Sequence, residues 1–282
     1  MATLNRMESP TVVRAASAGD PSPDTAAVQV LPSVRPSYKV IVVLPAYNEE
    51  ANIGRLLDRI EEHSADGFLN YQVVVVNDGS RDRTPEILEE YARKMPVAVY
   101  HHTVNQGLGT TIRDGITYAT KIAGDKDIIV TMDADETHSP GLIPRMVRMI
   151  REGHDVVIAS RYQPGAMVCG LVVHRRLISW LSSWFMRAVF PTRGVRDYTC
   201  GFRAYRAAIL KAAFARYGDS FIDQQGFQCM VDILLKLRRM SLIFGEVPMI
   251  LRYDLKEGAS KMRLARTTGN TLRLVFLRRM GR

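Results

Sequence analysis

The sequence predicts an α/β fold, a doubly wound, mostly parallel sheet with helices on both faces. Three observations carry this. Apolar runs of strand length recur at Lys39 to Leu44, Tyr71 to Val76, Val97 to Tyr100, Asp127 to Met132 and Asp155 to Ala159, and most are continuous, as in parallel strands covered on both faces. Helical patterns separate them, giving the alternation of a sheet built with crossover helices. Of the 282 residues 46% are hydrophobic, enough for one sizeable core and too many for a disordered chain.

In chain order, the first strand (KVIVVL) is followed by a helical pattern from Glu49 to Glu62, and the second (YQVVVV) by one from Pro85 to Lys94. Thr84 stands before Pro85 as a cap before a first-turn proline, and Ser139 before Pro140 repeats the arrangement ahead of a helix ending at Glu152. Between them lies a helix from Leu108 to Ile122. Further on, helices are expected over Arg175 to Phe190 and Phe227 to Arg239, the second apolar on one side and basic at its end.

Around this core we expect three parts. Residues 1–37, rich in Ala, Ser and Pro without periodicity, read as a disordered leader; residues 38–255 form the catalytic domain; residues 256–282 form a basic amphipathic tail. The formal charge is +9, and much of the excess lies from Arg252 onward, where nine Lys and Arg face two acids. Such tails contact phosphate-bearing partners or are simply solvated. Cys169, Cys200 and Cys229 form no C-x-x-C pair, so neither a disulfide framework nor a thiolate zinc site is expected, and Cys200 and Cys229 read as buried thiols. No run approaches the roughly 18 apolar residues of a spanning helix, and the N-terminus lacks an apolar signal region, so the chain is expected to be cytoplasmic and not integral to a membrane.

In doubly wound sheets ligands bind beyond the carboxyl ends of the strands. The first strand ends in P-A-Y-N-E-E and the second in N-D-G-S, neither of which is a dinucleotide or P-loop fingerprint. Asp78 can accept hydrogen bonds from a ribose or base, and Gly79 after it leaves room for a flat ring; the same tetrapeptide is also a good turn. The fourth strand ends in Met132-Asp133-Ala134-Asp135, two carboxylates that repel unless a cation or donor lies between them, and their oxygens suit Mg2+ or Mn2+. After the fifth strand, Arg161 is followed by Arg175, Arg176 and Ser179, with Arg175 and Ser179 four apart on one helix face, the makings of a phosphate cradle. The six histidines show no metal-ligand spacing and read as surface or loop residues.

The ordered set V-L-P-A-Y-N-E-E, V-N-D-G-S, N-Q-G-L-G, M-D-A-D, A-S-R-Y, R-R-L-I-S, D-Y-T-C-G-F-R-A-Y and E-G-A-S-K-M resembles family 2 of the inverting glycosyltransferases, and within it the dolichyl-phosphate or polyprenyl-phosphate mannose synthases. The resemblance runs from about Lys39 to about Met262 and implies the glycosyltransferase-A fold with a nucleotide-sugar donor, GDP-mannose favoured. It makes Pro45, Ala46, Tyr47, Glu49, Asp78, Gly107, Asp133, Ala134 and Asp135 the donor site, with Leu108 and Gly109 in the loop beside the nucleotide. Asp133 and Asp135 resemble the metal pair, Thr137 stands where the family adds a further ligand, and Asp133, Asp135 and Arg161 are the catalytic set. Arg161, Arg175, Ser179, Arg252 and Lys261 fall to the acceptor phosphate, and Gln224 to Gly226 lie where the family shapes its sugar site.

A phosphate monoester is already anionic near neutrality, its second pKa being about 6, so a polyprenyl phosphate acceptor needs no general base. Asp197 would be the first candidate base for an alcohol acceptor; with a phosphate it orients neighbouring arginines. Leu177, Trp180, Leu181, Trp184 and Ala188 form one stripe of the Arg175 helix, either core or a contact with a membrane interface. The expected protein is peripheral on the cytoplasmic membrane face, with or without a membrane-protein partner. The alternatives are a relative using UDP-glucose or a soluble acceptor, and a nucleic-acid-binding module that would explain the basic charge but not the paired aspartates; no nucleic-acid partner is expected.

Overall fold

A computed structural model describes residues 12–13, 30–31, 37–65, 70–170, 173–254 and 264–279. The elements run β1 (Val12–Val13), β2 (Val30–Leu31), β3 (Lys39–Ala46), α1 (Ile53–Ala65), β4 (Asn70–Asn77), α2 (Thr84–Ala92), β5 (Val97–His101), α3 (Leu108–Ile122) and β6 (Ile128–Thr131). They continue with α4 (Ile143–Arg151), β7 (Val156–Ser160), β8 (Met167–Cys169), α5 (Val173–Val189), β9 (Arg203–Arg206), α6 (Ala207–Tyr217), α7 (Cys229–Leu237), β10 (Phe244–Pro248), β11 (Ile250–Arg252) and α8 (Leu264–Arg279). Within the expected leader, β1 and β2 pair antiparallel, and the rest of residues 1–36 lies outside the described residues.

One sheet has the order β10-β7-β9-β6-β3-β4-β5. All its pairings are parallel except those of β9, which lies antiparallel between β6 and β7. The five strands expected from the apolar runs are all present. Val40 and Val42 line a small cavity with Ile60 of α1 and Ile143 of α4, whereas Gly115 of α3 lies so close to Val43 that a Cβ there would stand 2.6 Å from the Val43 Cγ1. Alternate residues of β3 therefore face opposite helical layers, which is what leaves the strand apolar throughout.

Neither expected cap forms through its side chain. Thr84 is the first residue of α2, and its hydroxyl is engaged instead with the Asp82 carboxylate (2.6 Å) and the Glu49 N–H (2.8 Å). Ser139 precedes a 3-10 turn, Pro140–Leu142, that leads into α4. Helix α1 starts at Ile53 because the Glu49 carbonyl accepts the N–H groups of both Asn52 and Ile53 (2.9 Å each), closing a turn first.

Helix α8 ends the described chain packed on the domain, with Leu274 and Val275 buried. On α5, Ser183, Met186 and Phe190 face inward, while Trp180, Leu181, Trp184 and Phe185 are exposed. Of the stripe read as either core or interface, Trp180, Leu181, Trp184 and Ala188 are therefore not core, and the Leu177 side chain lies outside what is described. Among the described residues no helix is long and apolar enough to cross a membrane.

Candidate active site

The parallel strands deliver Tyr47, Asp78, His102, Asp133 and Arg161 to one edge of the sheet, and antiparallel β9 begins at the same edge with Arg203 opposite Thr131 and Ile158. The loops after β3 and β4 clasp each other. Asn48, at φ 50°, donates its N–H to the Ser80 hydroxyl (2.9 Å) and accepts the Arg81 N–H on its side-chain oxygen (2.8 Å). The Glu49 carboxylate accepts from the Asn52 amide (2.8 Å), while Pro45 and Ala46 close the strand, the Ala46 carbonyl taking the Asp78 N–H (2.8 Å).

Asp78 is buried and acts as an anchor. One carboxylate oxygen faces the Gln106 N–H (2.8 Å) and His102 Nδ1 (2.7 Å), and the other accepts the Gly107 N–H (2.9 Å). The room expected beside Gly79 is filled by protein: at φ 65°, its missing Cβ would lie 2.6 Å from the Val104 carbonyl carbon. Gly79 thus admits the Val104–Asn105 backbone rather than a ring. His102, expected on the surface or in a loop, lies in the loop after β5 and is buried, with Nε2 reaching Asp114 at 3.1 Å.

The Asp133–Asp135 turn lies beyond β6. Glu136 takes a left-handed conformation at φ 60°, which costs about 1–3 kcal/mol for a non-glycine residue. Its buried carboxylate meets Arg55 Nε at 2.8 Å and Arg59 at 3.9 Å, so α1 holds the turn in that shape. Thr137 is buried; its hydroxyl donates to Asp135 Oδ1 (2.6 Å) and its carbonyl accepts the Arg252 N–H (3.0 Å), which ties β11 to the turn. His138, in the loop after β6 as the surface-or-loop reading allows, is buried against Phe202 with ring centroids 5.2 Å apart, and its Nδ1 accepts the Asp133 N–H at 3.3 Å. The Asp133 side chain is 41% exposed, and a Cβ on Gly201 would come within 3.3 Å of its Oδ1.

Arg203, not singled out from sequence, is fully buried under this turn. It donates to the carbonyls of Met230 (2.7 Å) and Tyr198 (2.8 Å) rather than to a carboxylate, and its Nε has no hydrogen-bond partner. That leaves a positive charge beneath the strand mouth, a place for it legible only once β9 is known to run against β6.

The residues expected to take the acceptor phosphate centre on Arg161. Its Nε and Nη2 each donate to Asp197 at 2.7 Å, and its N–H adds a third bond at 3.1 Å. Burial pushes the fully buried Asp197 carboxyl up, but the Arg161 guanidinium and hydrogen bonds outweigh this and hold it below the usual carboxylate range. Arg161, despite desolvation, is held protonated by the same pair. Asp197 therefore orients Arg161. Ser179 hydrogen-bonds Tyr162 Oη at 2.6 Å, beside Arg161. Arg252 is turned to Asp254 at 2.8 Å, Arg175 lies where the backbone of α5 alone is described, and Lys261 falls outside the described residues. Burial pushes the Cys200 and Cys229 thiols up to about 12, as expected of inert core cysteines.

Residues 41–214 match the model of the family described as Glycosyl transferase family 2. A dolichol-phosphate mannosyltransferase of Pyrococcus furiosus is 35% identical over 74% of this chain, which spans only 55% of that relative's length. A polyprenol monophosphomannose synthase of Mycolicibacterium smegmatis is 30% identical over 82% of this chain and 83% of its own. An undecaprenyl-phosphate mannosyltransferase of Micrococcus luteus is 32% identical over 79% of this chain and 87% of its own. Among solved structures, the glucosyl-3-phosphoglycerate synthase of Mycobacterium tuberculosis bound to Mn2+, uridine diphosphate and glucosyl-3-phosphoglycerate superposes with a TM-score of 0.63. It covers 87% of this chain and 81% of its own at 21% identity, a likeness of fold.

Two outcomes follow from this geometry. Asp197→Asn leaves the Arg161 charge without its partner, which should cost about 3–5 kcal/mol at neutral pH. Because the folded-state pKa of Asp197 is lowered, its contribution is present above the unfolded carboxyl value and lost as pH falls through the folded one. Urea unfolding of both proteins should therefore show a difference that is constant near pH 7 and shrinks in acid. Gly109→Ala would place a Cβ 1.7 Å from the Gln224 carbonyl oxygen, and should lower stability by about 1–3 kcal/mol in thermal denaturation.

Proposed function

The chain belongs to glycosyl transferase family 2 and is a glycosyltransferase of glycosyltransferase-A fold, and we propose that it transfers a hexose, mannose from GDP-mannose being favoured, to a polyprenyl phosphate at a membrane surface. The observation that carries the reading is the sharing of one sheet edge by the Asp133–Asp135 pair and by an arginine that a buried aspartate presents to it. The names of the polyprenyl-phosphate mannosyltransferase relatives support the sugar and the acceptor.

Asp133 and Asp135 offer hard oxygen donors that fit Mg2+ or Mn2+, with Thr137 orienting Asp135 through its hydroxyl and standing as a further candidate ligand. Among the described residues no cluster of three or more His, Cys, Asp or Glu is assembled for a metal, so the pair would share the ion with donor oxygens. Bound there, the metal would neutralise the diphosphate as it departs. Arg161 commits Nε and Nη2 to Asp197, which leaves Nη1 to grip an acceptor phosphate oxygen. That phosphate attacks the anomeric carbon in line and inverts it, without deprotonation by the protein. Asp197 has no part as a base, being paired and buried.

The membrane enters through α5. Trp180 is 54% and Trp184 60% exposed, with Leu181 and Phe185 beside them, on the helix whose first turns carry Arg175 and Ser179. Indole rings with apolar neighbours favour a lipid interface, and a peripheral seat on the cytoplasmic face, with or without a membrane-protein partner, would bring the acceptor headgroup to Arg161.

With Mg2+ or Mn2+ and a short polyprenyl phosphate, turnover should occur with GDP-mannose in preference to UDP-glucose and fall at least about 10²-fold in Asp135→Ala. Transfer from UDP-glucose alone would replace the donor, and absence of binding to either nucleotide sugar would overturn the reading. The Trp180→Ala, Trp184→Ala double variant should bind anionic liposomes roughly tenfold less tightly in cosedimentation, while transfer to a short soluble acceptor is retained.

A further inference from the structure

We propose that Arg278, near the end of α8, is a positioning residue for the donor pocket, holding the 223–226 loop against the first turn of α3. The inference rests on the donor site proposed above and extends it to the basic tail.

The anchor is a cluster of two acids and two bases. Arg278 Nε and Nη2 meet the Asp232 carboxylate at 2.7 and 3.0 Å, and Nη2 lies 3.7 Å from Asp223. Lys236 Nζ is 2.6 Å from Asp232 and 3.3 Å from Asp223, and it donates to the Phe221 carbonyl at 3.1 Å and to that of Ser220. Asp232 is 1% exposed, so it depends on these charges, and Leu274 and Val275 seat the helix that brings Arg278 to it.

From Asp223 the contacts run without a gap into the pocket. Asp223 accepts from the Gln224 amide at 2.9 Å, and the Gln225 carbonyl accepts the Gly109 N–H at 2.8 Å. The glycines at 107 and 109 let this approach occur: a Cβ would stand 3.1 Å from the Gln225 oxygen at the first and 1.7 Å from the Gln224 oxygen at the second. Gly107 in turn donates to Asp78 at 2.9 Å.

Charge balance explains why Arg278 matters at that distance. Without it, one lysine serves two carboxylates, and the buried Asp232, already the closer at 2.6 Å, retains it. Asp223 then loses its tether, and the loop it begins no longer presses on Gly109.

Hydrogen exchange on the full-length chain, with GDP and UDP titrations in Mg2+, tests this. Arg278→Ala and Asp223→Asn should each speed exchange across 107–112 by roughly three- to tenfold and weaken nucleoside diphosphate binding by a similar factor. Arg278→Lys should fall between, and Arg279→Ala, which removes an equal charge from an exposed position, should change neither. Wild-type exchange across 107–112 in Arg278→Ala, or an equal effect in Arg279→Ala, would overturn the proposal. If Arg278→Ala unfolds globally, Asp223→Asn decides, and unchanged exchange there overturns it. The predicted exchange pattern with no nucleotide binding by the wild type would support the coupling and remove the donor reading instead.

Discussion

Carboxylates crowd the carboxyl edge of this sheet, and the need to supply each with donors organises what surrounds it. Asp78 takes two backbone N–H groups and His102; Glu136 takes Arg55 and Arg59; Asp197 takes Arg161; and Glu246, whose carboxyl is pushed up by burial, accepts the N–H groups of Arg196 and Asp197. Like charges this close are tolerated only with such partners. Asp135 accepts the Thr137 hydroxyl and N–H, and the turn that carries Asp133 and Asp135 beyond β6 takes its shape from the neighbouring Glu136.

The same economy of partners separates rigid from adaptable parts. The side expected to take the donor is a mesh of short bonds from backbone N–H groups to side-chain oxygens among three loops, 45–50, 78–84 and 102–109. Around Arg161, itself fixed by Asp197, α5 turns its aromatic residues outward, and Arg252 pairs locally with Asp254. On the proposed function, a soluble nucleotide sugar would meet the fixed loops, whereas a lipid headgroup would arrive with its own surface.

Much of this was legible in the residues. Continuous apolar runs gave the five parallel strands, and the polar residues after them gave Asp78, Asp133, Asp135 and Arg161, because a parallel strand buried on both faces can place polar groups only past its end. Strand β9 left little trace: its four residues, R-A-Y-R, carry two arginines and no apolar run, and they form a strand because β6 and β7 flank them. Arg203 was hidden with it. His102 and His138 offered no spacing signal, since their partners lie across the fold or on the backbone. Thr84 does not cap because Asp82 and Glu49 engage its hydroxyl, whereas Ser139 keeps the N-cap position before Pro140 without a side-chain bond.

Sequence alone determined the order of strands along the chain, the chemistry at their ends and the apolar character of the α5 stripe, all of which depend on local pattern. Tertiary structure decided which way that stripe faces, which carboxylates are occupied by arginines, that Gly79 admits backbone rather than ligand, and that α8 reaches back through Arg278 to Asp232. These are matters of long-range pairing. Burial and charge compensation depend on what the rest of the chain brings within a few ångströms, and no local pattern records that.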